Sequence, residues 1–136
     1  MTALNKNVVR KQKMPVDVHD KVAASGQHIY VGSACGVKPA DGLLYVMGSH
    51  ATLVALGVAR QEIVGDGVLT CELREGVWPF ENSASTDAIA ETDVGATCYA
   101  VDDNTVAKTS NSSARAAMGK IVGLNAAGKV LVKIGL

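Results

Sequence analysis

The sequence predicts an all-β protein: a small β-barrel or β-sandwich of short antiparallel strands, preceded by an extended N-terminal arm. Three observations carry that expectation. Short apolar runs recur at near-regular spacing from residue 28 onward, and most are closed by a turn pair such as Asp66-Gly67, Glu75-Gly76 or Ala127-Gly128. The apolar residues are mainly Val, Ala and Leu, with only Tyr30, Tyr45, Trp78, Phe80 and Tyr99 as aromatics, a composition that suits closely packed sheets. Residues 68–74 alternate, with Leu69, Cys71 and Leu73 toward one face and Thr70, Glu72 and Arg74 toward the other, the pattern of a half-buried antiparallel strand. At 136 residues, one domain with a real core is expected.

Residues 1–27 differ from the rest. Val8, Val9, Met14, Val16 and Val18 are scattered among polar residues, Pro15 and the basic group Arg10, Lys11 and Lys13. They read as an extended arm with at most one or two strand segments, a kind of terminus that is loose unless something ties it down. The domain itself is expected over residues 28–136. Residues 28–32 (HIYVG) predict a strand, Pro39-Ala40-Asp41-Gly42 a turn, and residues 43–47 (LLYVM) a second, strongly apolar strand. Residues 51–59 fit a strand or a helix, with Gly57 weighing against the helix.

Asp66-Gly67 predicts a hairpin turn into residues 68–74, and Glu75-Gly76 turns the chain into residues 77–80. Pro79 has no amide hydrogen for a ladder, so it marks a strand edge or end. Residues 82–93 (NSASTDAIAETD) are a polar loop with room for a helical turn started by Ser85 or Thr86. Residues 96–101 and 105–109 form a strand pair around Asp103-Asn104. Residues 110–117 are a loop or a short helix, and residues 118–124 and 129–134 form a last hairpin. The sum is eight or nine strands.

The net charge of zero conceals blocks. Residues 1–60 carry about +4, residues 61–107 about −9 and residues 108–136 about +5. This is either a solvated acidic face or complementarity between copies or with a larger partner. The overall balance gives no case for nucleic acid. Cys35, Cys71 and Cys98 are odd in number and lack Cys-x-x-Cys spacing, which argues against a zinc ribbon or a disulfide framework. Cys71 and Cys98 are expected as buried free thiols in a reducing cytoplasm. No apolar run of signal-peptide or membrane-spanning length occurs, so no membrane partner is expected.

Candidate chemistry is thin. Gly32-Ser33-Ala34-Cys35-Gly36 is not a nucleophile elbow, because Val31 and Cys35 stand where glycines are needed, so it reads as a strand-end turn. Asp17, His19 and Asp20 could offer metal ligands only if His28 and His50 joined them from elsewhere, and no metal site or cofactor is expected. Asp102-Asp103 points its carboxylates to opposite faces and reads as the start of a turn. A small hydrolase using Cys35 with His19, His28 or His50 is a distant alternative to a chain that does no catalysis. Trp78 is the one large aromatic anchor, either capping one end of a barrel or acting with Phe80 as an interface hot spot. The basic arm is either solvated or docked on an acidic surface.

The C-terminal half resembles the capsid cement (head decoration) proteins of tailed bacteriophages. The resemblance rests on residues 67–80, on residues 87–108 (DAIAETDVGATCYAVDDNTVAK), on GKIVG at residues 119–123 and on residues 129–134. It runs through Gly76-Val77-Trp78, then Gly95 with Tyr99-Ala100-Val101-Asp102, and on to the last two strands. Residues 1–60 match loosely.

The resemblance implies a β-rich structural virion protein, made in the host bacterial cytoplasm and bound to the outer surface of an assembled capsid. It would bridge major capsid subunits as a homotrimer or dimer, without cofactor or catalysis. Val8, Val9, Arg10, Lys11, Lys13, Trp78 and Phe80 are the expected interface residues. Another virion β-module, a head fibre base or tail-associated protein, is the nearest alternative.

Overall fold

A computed structural model describes residues 18–136, which form twelve strands and no α-helix. In chain order these are β1 (Val18–Val22), β2 (His28–Ile29), β3 (Ala34–Val37), β4 (Leu44–Val46), β5 (Val54–Ala59), β6 (Ile63–Val64), β7 (Thr70–Arg74), β8 (Gly76–Asn82), β9 (Thr97–Ala100), β10 (Thr105–Ala107), β11 (Ala117–Leu124) and β12 (Val130–Ile134). The all-β expectation holds, with twelve strands where eight or nine are expected: β1, β3 and β6 fall outside the expected runs. β2 and β6 have two residues each and pair only with one another.

The strands divide at Glu75. Before it, β1, β7, β5, β3 and β4 make a five-stranded antiparallel sheet. After it, β8 to β12 close a barrel in the order β10-β8-β12-β11-β9. Every barrel pairing is antiparallel except β8 with β10, which run parallel because the β9–β10 hairpin returns the chain beside β8 in β8's own direction. The first sheet also curls until its two edges touch: Ala23 bridges Leu44, and the Ala24 amide donates to the Leu44 carbonyl at 3.0 Å.

Each unit has its own core. Ala23, Ile29, Cys35, Leu44, Leu56, Ala59, Cys71 and Leu73 fill the curled sheet. Phe80, Ile89, Cys98, Val106, Met118, Ile121, Val130, Val132 and Ile134 fill the barrel. The sheet's other face, through Ala34, Met47, Leu53 and Val58, joins the barrel core, with β5 lying against β11 and β12. Neighbouring residues serve different cores because strand side chains alternate, as at Ala34 and Cys35. In β5 a bulge opposite Cys35 and Gly36 breaks that alternation, so Leu56 and Val58 face different cores.

Several local expectations change. The domain starts by Val18, ten residues before the expected boundary, because β1 pairs along its whole length with β7. Asp66-Gly67 is no simple hairpin, since the strand before it, β6, pairs with β2. Instead the Asp66 carboxylate accepts the amides of Val68 and Leu69 at 2.8 and 2.7 Å. Leu69 is half exposed, so the buried face of this run begins only at Cys71.

Glu75-Gly76 is likewise a crossing between sheets, made by Gly76 at φ +134°. Residues 28–32 leave the strand after Ile29. Residues 110–117 hold no helix: Asn111, Ser112 and Ser113 all have positive φ. The polar loop after β8 contains two 3₁₀ turns, Ser85–Asp87 and Glu91–Asp93.

Candidate functional site

The strand β8 positions Trp78 and Phe80 on the inward side of the barrel wall. Phe80 is 2 % exposed and packs in the barrel core, with one side of it at the floor of the groove described below. Trp78 is half-buried, packs against the same core, and has a buried Nε1 with no hydrogen-bond partner among the described residues. Val8, Val9, Arg10, Lys11 and Lys13 lie outside the described residues, as does Asp17.

Pro79 explains why a groove opens here. The Glu81 amide donates to the Asn104 carbonyl at 2.8 Å, so the odd-numbered backbone groups of β8 point to the β10 side. β10 pairs with β8 only at Glu81 and Asn82, which leaves residues 77–79 running past its end. A proline fits such a place without loss of a ladder bond. The vacated side is a groove of about 280 Å³ whose lining includes Val31, Val58, Arg60, Trp78, Pro79 and Phe80. It continues past Val31, Gly32 and Asn104 into a second hollow of about 270 Å³ beside Tyr30, Ser33 and Asp103. Val31 is 68 % exposed on the shared wall.

Hydrogen bonds fix this wall. The buried Ser33 hydroxyl donates to Asp103 at 2.7 Å and accepts the Tyr30 amide at 3.2 Å. The Asp103 carbonyl accepts the Ala34 amide at 3.0 Å. The Tyr30 ring stacks on His28 at 4.1 Å, and His28 pairs with Glu62 at 2.9 Å. Asp102 accepts the Asn104 amide at 2.8 Å, the turn-starting role expected of it.

The remaining sequence candidates are dispersed. Cys35 is fully buried, its thiol pushed up by burial, and it donates only to the Ser33 carbonyl at 3.5 Å. A thiol so placed is a poor nucleophile. His19 pairs with Glu75, His28 with Glu62, and His50 with Ser49. Among the described residues no three His, Cys, Asp or Glu side chains gather as metal ligands. Cys71 and Cys98 are buried free thiols, as expected.

The charge blocks meet inside the chain. Glu81 pairs with Lys129, Asp93 with Lys108 at 3.5 Å, and Asp87 with Arg115 at 3.2 Å. Three of the five bases in the C-terminal block thus pair with acids of the same molecule. The one charged residue lining the groove is Arg60, and the one lining the adjoining hollow is Asp103.

Sequence reasoning found Trp78 but missed Tyr30, Val31, Val58 and Arg60. They come from distant segments, and their only sequence signal is that the apolar Tyr30-Val31 pair precedes a Gly-Ser turn. No family model matches the sequence, and neither the curated proteins nor the solved structures contain a match.

Proposed function

We propose that the protein is a structural virion component that binds the outer surface of an assembled bacteriophage capsid and stabilises it by bridging major capsid subunits. The observation that carries this reading is where the cement-like residues fall. Gly76-Val77-Trp78 opens β8, Tyr99-Ala100 ends β9, residues 119–123 lie in β11, and residues 129–134 hold β12. These segments belong to the closed barrel, while residues 67–75 of the resemblance, with β7, belong to the curled sheet, so the resemblance falls mainly on one structural unit.

The arrangement of the rest supports a binding role. The nucleophile candidate Cys35 is sealed in a core, while aromatic and aliphatic surface is gathered in the groove at Trp78. Trp is the side chain most often dominant in protein interfaces, where one end is buried and the other meets a partner. Binding only to the assembled shell stabilises that shell by mass action, with no chemistry required. The partners in this reading are the major capsid protein and further copies of this chain, as a trimer or dimer.

The deciding experiment is co-sedimentation of the purified protein with expanded, DNA-free shells of its cognate capsid. Saturable binding with raised shell stability to heat or pressure is expected. Failure to bind expanded shells removes the proposal, and localisation to tails by electron microscopy moves the protein to a different virion structure.

A further inference from the structure

We propose that the Trp78 groove receives the β6–β7 connection, residues 64–69, of a second copy of this chain, with Val68 and Leu69 on its apolar wall and the Asp66 carboxylate against Arg60. The inference deepens the self-assembly in the reading above by naming both halves of the contact, and it can fail while shell binding stands.

The groove calls for an apolar occupant with a negative charge. Its wall includes Val31, Val58, Trp78 and Pro79, and Arg60 is the one charged residue lining it. Arg60 is exposed and forms no ion pair among the described residues. Asp103, in the adjoining hollow, is already bonded to Ser33.

The β6–β7 connection has the matching chemistry. Val68 is 77 % exposed, and Val64 and Leu69 are at least half exposed. Exposed apolar side chains ordinarily stand singly, and a cluster of them marks a contact surface. Asp66 is exposed among them. Its Oδ1 accepts both the Val68 and the Leu69 amides, which leaves Oδ2 without a partner among the described residues. The Leu69 and Val68 amides hold this carboxyl below the usual carboxylate range, so it stays ionised. A guanidinium is the natural partner of such an oxygen.

The connection is also held in shape, and away from its own groove. The Gly65 amide donates to the Gln27 carbonyl at 2.7 Å, the Gly67 amide to the Ala23 carbonyl at 3.1 Å, and the Ala23 amide to the Leu69 carbonyl at 2.9 Å. A loop ordered in advance loses little freedom on docking. The Arg60 amide donates to the Glu72 carbonyl at 3.0 Å. Leu69 lies three residues before Glu72, about 10 Å back along the strand. Residues 64–69 line neither the groove nor the hollow of their own molecule. The contact therefore forms between molecules, exchanged reciprocally in a dimer or passed around a closed ring.

Sedimentation equilibrium and Trp emission of the full-length protein test this. The chain has one Trp, so its indole reports on the groove alone. A concentration-dependent dimer or ring is expected, with emission moving to the blue and acrylamide quenching falling as it forms. Val68→Asp changes an exposed side chain and should weaken association at least about 10-fold. Arg60→Gln and Asp66→Asn should each weaken it about 5-fold, and Asp66→Asn keeps an oxygen for the loop amides. The double variant should be no weaker than the worse single one, because the two charges act on each other. A chain that stays monomeric up to millimolar concentration overturns the proposal. So does association that leaves Trp emission unchanged, that survives Val68→Asp, or in which the two charge changes simply add. Shielding of the indole that appears only with shells present also overturns it and gives the groove to the capsid.

Discussion

The Ser33 hydroxyl donates to the Asp103 carboxylate at 2.7 Å across 70 residues of sequence, tying the loop before β3 to the β9–β10 turn and so joining the curled sheet to the barrel. Ser33 is the only buried polar side chain among the described residues. Ser33→Ala removes the donor and leaves the carboxylate beside an apolar methyl, so a loss of about 1–3 kcal/mol is expected in urea unfolding. The Ala34 amide to Asp103 carbonyl bond survives the change, so the fold should persist. A double-mutant cycle with Asp103→Ala should show coupling between the two positions.

Phe80 and Trp78, two residues apart on β8, should separate stability from binding. Phe80→Ala empties a closed barrel core and should cost about 3–5 kcal/mol by denaturant unfolding. Trp78→Ala removes a half-buried side chain at the barrel's end and should cost less stability. In shell co-sedimentation it should weaken attachment by about 30-fold, the equivalent of an interface hot spot of about 2 kcal/mol.

Gly119 admits no side chain. A Cβ there would stand 2.2 Å from the Lys133 carbonyl oxygen, in the β11–β12 pair that closes the barrel. Gly119→Ala must push the strands apart, and a loss of about 1–3 kcal/mol is expected by thermal unfolding, as for overpacking elsewhere.

Asp87 links two loops by accepting the Thr109 hydroxyl at 2.6 Å and Arg115 at 3.2 Å, while its carbonyl accepts the Lys108 amide. The Thr109 hydroxyl above all, with help from Arg115, holds this carboxyl below the usual carboxylate range. Its stabilising effect is complete above the ordinary carboxylate pKa and is lost as pH falls through the depressed folded value. Melting temperature followed through the acid range should therefore fall less steeply in Asp87→Asn than in the unaltered protein.

Cys98 reports at the opposite extreme. Burial pushes its thiol up to about 11, so the folded protein keeps a proton that the unfolded chain releases near 9.0. Stability is whole below about pH 9 and falls as pH rises toward 11, by about 1.4 kcal/mol per pH unit for one such thiol. Cys98→Ala should flatten this alkaline decline in urea titrations. Thiol-specific reagents should label none of Cys35, Cys71 and Cys98 until the protein unfolds.

Deletion of residues 1–16 should leave a soluble β-fold, because β1 begins at Val18 and keeps its pairing with β7. A longer deletion, through residue 20, would remove three of the five residues of that edge strand. Unchanged shell attachment in the shorter deletion would take the arm out of the proposed bridging role.

Local sequence was enough for strands whose signals are local. The alternation around Cys71 and Leu73, the β9–β10 hairpin at Asp103-Asn104 and the β11–β12 hairpin at Ala127-Gly128 each depend on neighbouring residues, and each forms where expected. Composition likewise determined the all-β class, because short Val- and Ala-rich runs between turns can bury their apolar faces only by pairing.

Partner choice among strands was decided only by the tertiary structure. Nothing near Glu75-Gly76 distinguishes a hairpin from a crossing between sheets, since both need a tight reversal, and the choice rests on β12 pairing with β8 from more than fifty residues away. The same long-range pairing put Phe80 inside the barrel, left Pro79 beyond the end of β10 and brought Val31 and Val58 beside Trp78. The sequence by itself supplied an anchor aromatic; the groove beside it exists because two cores, built from segments far apart in the chain, share the faces of β3 and β5.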